Sequence, residues 1–516
     1  MFSSVKTAFI QGITSRSVDV QADVSTGLPM FTMVGDLSSS VREAHDRVRT
    51  ALRSLGVTLP ASRITVNLAP VDLHKEGSGF DLPIAIAVLI ALGYISQEAV
   101  DGVLFVGELS LNGRVNAVRG VIELVDHARR AGCRACVVPL ANLEEGSVIR
   151  GIEVLGAADL AQTAAYFGME TAAGACSPAL TAGSAGRPEG ERSPKYDFAS
   201  VRGQKLMRRA AEAAAAGMHN LLLIGPPGTG KSMTARCLPG ILPSISFEEA
   251  LEVTKIHSIA GLLPEGAGLI RERPFRAPHH TVTQAGLIGG GRIPMPGEVS
   301  LAHRGILFLD ELPEFPAQVL ETLRQPMEDG TVIVTRNTGT FEFPADFMLC
   351  ASMNPCKCGY YPDMTRCTCS KRDVKRYLDH ISRPLLDRMD IVAEAREVKY
   401  EEVSTLSGPE ESSRVIRERV TAARKLQEKR YAGTPFRFNA DLTMDAVRTY
   451  CELDAPCRRL MEGTYEMLGL TARAYGRILK VARTLADLAG EEHIRREDLA
   501  EAISFRSPDR KYWQGP

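Results

Sequence analysis

The sequence predicts an α/β protein with a parallel-sheet core in mid-chain, a separate α+β block before it and an all-helical region after it. Three observations carry that expectation. Leu221 to Ile224 is a continuous apolar run, as a strand buried on both faces shows, and a glycine-rich loop and the helical Met233-Thr234-Ala235-Arg236 follow it. Two more apolar runs end on polar residues in the same way: Gly305 to Leu309, closing on Asp310-Glu311, and Phe347 to Met353, closing on Asn354. Beyond residue 413, apolar residues recur at three and four, as in Ile478, Val481, Ala482 and Leu485, then Leu499 and Ile503. That period predicts helices with one buried face.

The block order follows from composition. A chain of 516 residues holds about three domains on the usual domain-size prior. Residues 1–165 form the first block. Residues 166–197 include an Ala-, Gly-, Ser- and Pro-rich stretch from Glu170 to Pro194, which reads as a flexible linker. Residues 198–400 form the sheet core and residues 401–516 the helical region. Formal net charge is −1, which gives no global basic signal for nucleic acid. No apolar run reaches the roughly 18 residues of a membrane span; Leu82 to Leu92 is too short. The N-terminus lacks the pattern of a signal peptide. Eleven cysteines in a long chain of this kind do not suggest secreted disulfides. The expected location is the cytoplasm.

The loop after the first strand is Gly225-Pro226-Pro227-Gly228-Thr229-Gly230-Lys231-Ser232. Strand, glycine loop and helix in that order form a phosphate-binding P-loop. Its glycines let backbone N–H groups turn toward phosphate oxygens, and the helix start adds partial positive charge. Lys231 can reach the β and γ phosphates of ATP, and Ser232 can hold Mg²⁺. Asp310 is placed to complete the Mg²⁺ shell, and Glu311 to orient and deprotonate a water. A buried strand with a capping acid would explain one carboxylate, not two in succession. Asn354 can sense a γ-phosphate or position the water; taken alone it reads as a turn residue.

These residues carry a resemblance. The P-loop, Asp310-Glu311, Asn354 and Leu385-Leu386-Asp387-Arg388 together resemble AAA+ ATPases of the magnesium-chelatase-like branch. Three segments make the chain similar to the ComM/YifB family: Arg276-Ala277-Pro278-His279-His280-Thr281, Gly286-Leu287-Ile288-Gly289-Gly290-Gly291, and Ser352-Met353-Asn354-Pro355-Cys356. The resemblance spans nearly the whole chain. It implies a homo-oligomeric, hexameric ring and makes Arg388 the arginine finger given to a neighbour's ATP. Arg473, in Thr471-Ala472-Arg473-Ala474, would be the second sensor, contacting the γ-phosphate from a helical lid. A guanidinium suits both roles because it stabilises charge on a transferring phosphoryl group. A surface salt bridge is the ordinary reading of either arginine alone.

The first block looks like the proteolytic domain of Lon protease, through Lys75-Glu76-Gly77-Ser78-Gly79-Phe80-Asp81-Leu82-Pro83 and Val106 to Val115. That chemistry needs a serine activated by a lysine. Aligned by eye, the serine position falls on or near Asp81 and the lysine position on or near Ile122. Ser78 is close, but Val121 to Ala128 contains no lysine. The resemblance therefore implies a degenerate, non-proteolytic copy, serving assembly or substrate contact.

Two insertions stand out in the core. Arg271 to Gly297 is rich in Gly, Pro, Arg and His and fits the helix-2 insert of this AAA+ branch. Thr331 to Pro344 alternates as a hairpin, with Val332, Val334, Phe341 and Phe343 in strand alternation, a turn at Asn337-Thr338-Gly339 and Arg336 at the tip. The resemblance makes it a pre-sensor hairpin facing a ring's pore, where basic tips grip nucleic-acid backbone without reading sequence. Packing against neighbouring subunits is the plainer alternative. His279-His280 reads as hydrogen bonding or stacking, since adjacent histidines point apart on most backbones. Cys356, Cys358, Cys367 and Cys369 could supply four thiolates to a structural Zn²⁺; their C-x-C spacing departs from the usual C-x-x-C, so free structural thiols stay open. Arg414 to Arg430 holds seven Lys or Arg against two Glu, and Lys371, Arg372, Lys375 and Arg376 cluster nearby; both read first as solvated helix faces.

Three functions compete. The first is an ATP-driven ring acting on branched or single-stranded DNA, a branch-migration helicase of recombination and natural transformation. The second is a chelatase or protein-remodelling motor with no DNA substrate. The third is a non-enzymatic scaffold, which the complete catalytic set disfavours. ATP hydrolysis follows from residues; DNA follows mainly from the resemblance.

Overall fold

The computed structural model describes residues 2–170, 180–182, 195–264, 266–336, 339–397 and 410–514. The N-terminal unit is built on an eight-stranded mixed sheet. Its strands are β1 (Phe2–Gln11), β2 (Thr14–Ser25), β3 (Met30–Val34), β4 (Arg63–Ala69) and β5 (Val103–Phe105). After a separate ribbon of β6 (Glu108–Leu109) and β7 (Val115–Asn116), the sheet continues with β8 (Ala135–Pro139), β9 (Glu153–Ala157) and β10 (Thr181–Ala182). Across the sheet the order is β10-β9-β8-β5-β1-β2-β4-β3. The helix Asp81–Ala91 is buried at every position and packs on β1 and β2. Its all-round apolar surface, too short for a membrane, is that of a central core helix. Among the described residues, no helix is long and apolar enough to cross a membrane.

Part of the expected linker is ordered into this unit. Leu180 is buried, and β10 pairs antiparallel with β9 through Thr181↔Gly156 and Ala182↔Leu155. An apolar residue beside two small strand-compatible ones offers an edge pairing that the surrounding low-complexity composition hides. Residues 171–179 and 183–194 of that stretch lie outside the described residues.

The second unit holds a five-stranded parallel sheet in the order β12-β15-β18-β11-β19. Its strands are β11 (Leu221–Ile224), β12 (Phe275–Arg276), β15 (Ile306–Leu309), β18 (Met348–Met353) and β19 (Ile391–Glu394). Two ribbons hang from it: β13 (Gly289–Gly290) with β14 (Met295–Pro296), and β16 (Thr331–Arg336) with β17 (Gly339–Pro344). β11 is fully buried between β18 and β19, which explains its unbroken apolar run. The alanine-rich helix Lys205–Gly217 lets one sheet face approach the C-terminal helices closely, in a single shared core.

The C-terminal region is helical: Ser413–Arg430, Met444–Tyr450, Ala455–Leu468, Ala472–Ala489 and Arg496–Ser504. Thr443, Asp454 and Thr471 each cap a helix start through the side chain. The basic run of Ser413–Arg430 is only in part the solvated face expected: Arg414, Lys425 and Lys429 are exposed, and the other four are held by the protein. Arg417 donates to the Gly240 carbonyl, Arg419 pairs with Glu212 and Glu411, and Arg430 pairs with Asp487. Buried Arg424 donates to Ala215 O, one of the carbonyls that the end of the helix Lys205–Gly217 leaves without an intrahelical partner.

The two units are joined by polar contacts. Lys255 on the helix Phe247–Ile259 lies 2.7 Å from both Glu123 and Asp126 on the helix Val121–Arg130. Ser258 accepts from the Gly120 N–H at 2.9 Å and donates to Glu145. At a second point, Gly12 in the β1–β2 turn sits under the Phe341 ring of the β16–β17 hairpin.

Candidate nucleotide-binding site

Parallel strands align the site. Ile224 pairs with Met353 and Leu309 with Ala351, so the residues that follow β11, β15 and β18 meet at one end of the sheet. Crevices at the carboxyl ends of parallel strands are where such folds bind ligands. Gly228 and Gly230 have φ of 78° and 86°, a conformation glycine adopts without a Cβ penalty. Gly230 caps the helix Lys231–Cys237.

Inside this loop Lys231 is curled back on the protein. Its ammonium donates to Gly225 O at 2.7 Å, Pro226 O at 2.8 Å and Asn354 Oδ1 at 3.1 Å. Burial pulls its pKa down to about 8, against the attraction of Asp310 and Glu311. Ser232 Oγ donates to Asp310 Oδ2 at 2.7 Å, and Ser352 Oγ donates to Asp310 Oδ1. Two hard oxygen donors in contact at the phosphate end of the loop fit a magnesium ion. Glu311 is exposed and has φ of 54°; among the described residues only Met218 and Arg304 share a positive φ without being glycine. Such a conformation costs on the order of 1–3 kcal/mol and ends the extended path of β15 at Glu311.

The structure brings Lys231, Ser232, Asp310 and Asn354 into one hydrogen-bonded set, with Glu311 adjoining. Two members escaped the sequence reading. Ser352 was legible as a strand residue and as part of a family segment, with no role at the site, although a hydroxyl inside an apolar run was a signal. Gln204 straps the loop: its Nε2 donates to Thr229 O at 3.1 Å and Arg396 O at 2.5 Å. A lone glutamine before a helix carries no pattern.

Arg388 and Arg473 are not brought to this site in the same chain. Asn220, just before β11, donates to Arg388 O at 3.0 Å. That is the opposite end of β11 from the P-loop, about 13 Å away at the usual strand rise. The Arg388 guanidinium is held by Glu328 and by Pro384 O at 2.9 Å. It lines an open cleft of about 450 Å³ with Gln284, Glu321, Arg324, Glu328 and Asp329. Arg473 is exposed on the first turn of Ala472–Ala489. One turn later Arg477 faces Asp390 at 3.7 Å, at the start of β19, again the far end of the sheet. The contact expected from a lid of the same chain is therefore absent in this arrangement.

The insertions meet each other. The hairpin pairs from Thr331↔Pro344 to Arg336↔Gly339, with Val332, Val334, Phe341 and Phe343 buried and Ile333 exposed. Asn337 and Thr338 of the expected turn lie outside the described residues. Arg336 Nε donates to Gly291 O at 3.2 Å, latching the hairpin to the end of β13. His279 and His280 do not point apart: their rings lie 4.0 Å apart, and His279 bonds Thr281 Oγ1 at 2.9 Å. Lys371, Arg372 and Lys375 are exposed without a carboxylate partner among the described residues, whereas Arg376 pairs with Asp373.

The four cysteines converge. Cys356, Cys358, Cys367 and Cys369 place their sulfurs within 4.8 Å of one another. Cys356 Sγ lies 3.3 Å from Cys358 Sγ and 3.8 Å from Cys367 Sγ. A tetrahedral zinc with bonds of about 2.3 Å sets its sulfurs about 3.8 Å apart, so these residues fit that ion. Burial pushes the Cys367 thiol up to about 12, while hydrogen bonds from the Tyr360 and Thr368 backbone and from Cys356 outweigh burial and bring Cys358 down to about 6.

Comparison with known proteins agrees with this architecture. Residues 197–403 match the family described as magnesium chelatase, subunit ChlI; residues 20–142 match subunit ChlI of Mg-chelatase, and residues 410–506 match the ChlI C-terminal family. The chain is 41% identical over 509 residues to the uncharacterized protein YifB of Escherichia coli, covering 98% of this chain and 97% of that protein. It is 40% identical over 497 residues to the competence protein ComM of Haemophilus influenzae, covering 96% of each. Similarity to the magnesium-chelatase 38 kDa subunit of Rhodobacter capsulatus is 27% over 180 residues, 31% of this chain and 51% of that protein. The chain belongs to the ComM/YifB family of magnesium-chelatase-like AAA+ ATPases.

Proposed function

We propose that this protein is an ATP-hydrolysing ring motor that moves branched DNA, a branch-migration helicase of recombination and natural transformation in the cytoplasm. The observation that carries the reading is the near full-length similarity to a competence protein of Haemophilus influenzae. The latched pair of insertions supports it. Arg336 and the exposed Arg292 give the insertions cationic groups for a phosphate backbone.

The chemistry divides between subunits of a hexameric ring. ATP would enter the P-loop and take Lys231 from its carbonyl and Asn354 acceptors. Ser232 and Asp310 would hold Mg²⁺, which when bound neutralises charge on the phosphate oxygens. Glu311 would orient the water and accept its proton. Arg388 would leave Glu328 and reach the neighbour's γ-phosphate. Arg473 is one helical turn from Arg477, which faces the far end of the sheet, so its phosphate contact would also cross the subunit boundary. A structural Zn²⁺ on the four cysteines completes the cofactor set.

Similarity to magnesium-chelatase subunits supports a second reading, a motor without DNA; the 38 kDa subunit matches 31% of this chain, against 96% for the competence protein. ATP turnover measured with forked, single-stranded and no DNA separates the two. The motor reading expects forked DNA to raise turnover several-fold; turnover indifferent to every DNA would contradict it.

A further inference from the structure

The geometry points to the loop from Cys356 to Cys369 as a one-zinc knuckle that seats the P-loop, so that metal occupancy sets nucleotide affinity. This rests on the nucleotide-binding reading of Gly225 to Ser232. Two sets of contacts carry it.

The first is the metal-ligand set itself. Four sulfurs within 4.8 Å of one another suit a single tetrahedral ion. A multi-iron cluster would push the thiolates apart, because further irons and sulfides stand between them. Disulfides do not explain the set, because Cys356 and Cys358 stay 3.3 Å apart, well beyond bonding distance. With all four positions taken by cysteine no site is left for water, so the ion would be structural.

The second is what the knuckle touches. Gly359 turns inside it with φ of 88°, its N–H donating to Cys356 O at 3.0 Å. A Cβ on Gly359 would lie 2.5 Å from Pro227 Cδ, so the knuckle backbone already rests on the P-loop. Asn354, two residues before Cys356, holds the Lys231 ammonium. The knuckle thus bears on both the loop and the lysine. Between Met353 and Lys371 the chain has no helix or strand of its own, so the metal would supply its order.

The test is zinc content by elemental analysis together with the Kd of a fluorescent ATP analogue, on the full chain purified without chelator. One zinc per chain is expected. Cys358→Ser with Cys369→Ser should release the zinc and raise Kd at least tenfold. Gly359→Ala should keep the zinc and still raise Kd, because the added methyl displaces Pro227; this variant tests the coupling even if the cysteine variant fails to fold. Zinc near zero in the native chain, or unchanged Kd in a folded zinc-free chain or in Gly359→Ala, would overturn the proposal. A wild-type chain with zinc but no nucleotide binding would overturn the P-loop reading itself and the coupling with it.

Discussion

The P-loop and the start of the N-terminal helix Asp81–Ala91 both set a cation near a carboxylate, with opposite consequences. Asp81 is fully buried and takes both arms of the Arg47 guanidinium, at 2.7 and 2.9 Å, plus the Leu109 N–H at 3.0 Å. The carboxylate is committed to these donors and shut off from solvent, and only the outer part of Arg47 is exposed. Lys231 is held instead by two carbonyls and an amide oxygen, and Glu311 is exposed. Phosphate oxygens can replace the acceptors of Lys231, whereas no ligand can reach Asp81. Charged residues at a helix start therefore mark a working site only when their partners are exchangeable. Ile122, at the position expected for a catalytic lysine, is buried, with its N–H donating to Glu145, so the N-terminal unit has no base to offer there.

The largest expected effect tests whether the open site needs a cation from outside its own chain. Arg388→Ala should lower turnover about 10³-fold or more while leaving ATP binding largely intact; normal turnover would remove the finger assignment. Glu311→Gln should slow hydrolysis by about 10²–10⁴-fold and trap bound ATP, read by filter retention of labelled nucleotide. On the sealed side, Arg47→Ala should cost about 3–5 kcal/mol of N-terminal stability in denaturant melts, because it leaves a buried carboxylate unpaired. That loss should be greater at pH 8 than at pH 5. Burial pushes the Asp81 carboxyl up, so the folded variant keeps a proton that the unfolded chain gives up.

A smaller effect follows from Lys231. Its pKa of about 8 means the free site loses its ammonium as pH rises through that value, while bound phosphate favours the charged form. ATP affinity should therefore fall by up to tenfold per pH unit above about 8, and a flat profile from pH 7 to 9 would show that Lys231 is not so perturbed. At the bottom of the scale, casein hydrolysis should be absent with or without Ser78→Ala. Hydrolysis that the substitution abolishes would break the comparison.

The core strands and the P-loop constellation were legible because each rests on local pattern: apolar runs, glycine spacing, and polar residues at strand ends. The hairpin was legible from the apolar alternation of Val332, Val334, Phe341 and Phe343. What was not legible depends on distant partners. Ser352 and Gln204 join the site only through strand register and a strap onto Arg396. Arg424 turns inward because the helix Lys205–Gly217 ends beneath it, and Arg417, Arg419 and Arg430 find partners on Gly240, Glu212 and Asp487. The position of Arg473 depends on how the C-terminal helices lie across the sheet, which no local motif encodes. Convergence of the four cysteines was open at C-x-C spacing, since only the loop's path decides whether two pairs meet.

The most direct test of the motor reading is ATP-dependent branch migration on a labelled three-strand junction, with Glu311→Gln as control. Movement by the wild-type chain and none by the variant is the predicted result. A wild-type chain that hydrolyses ATP but leaves the junction where it was would contradict the account.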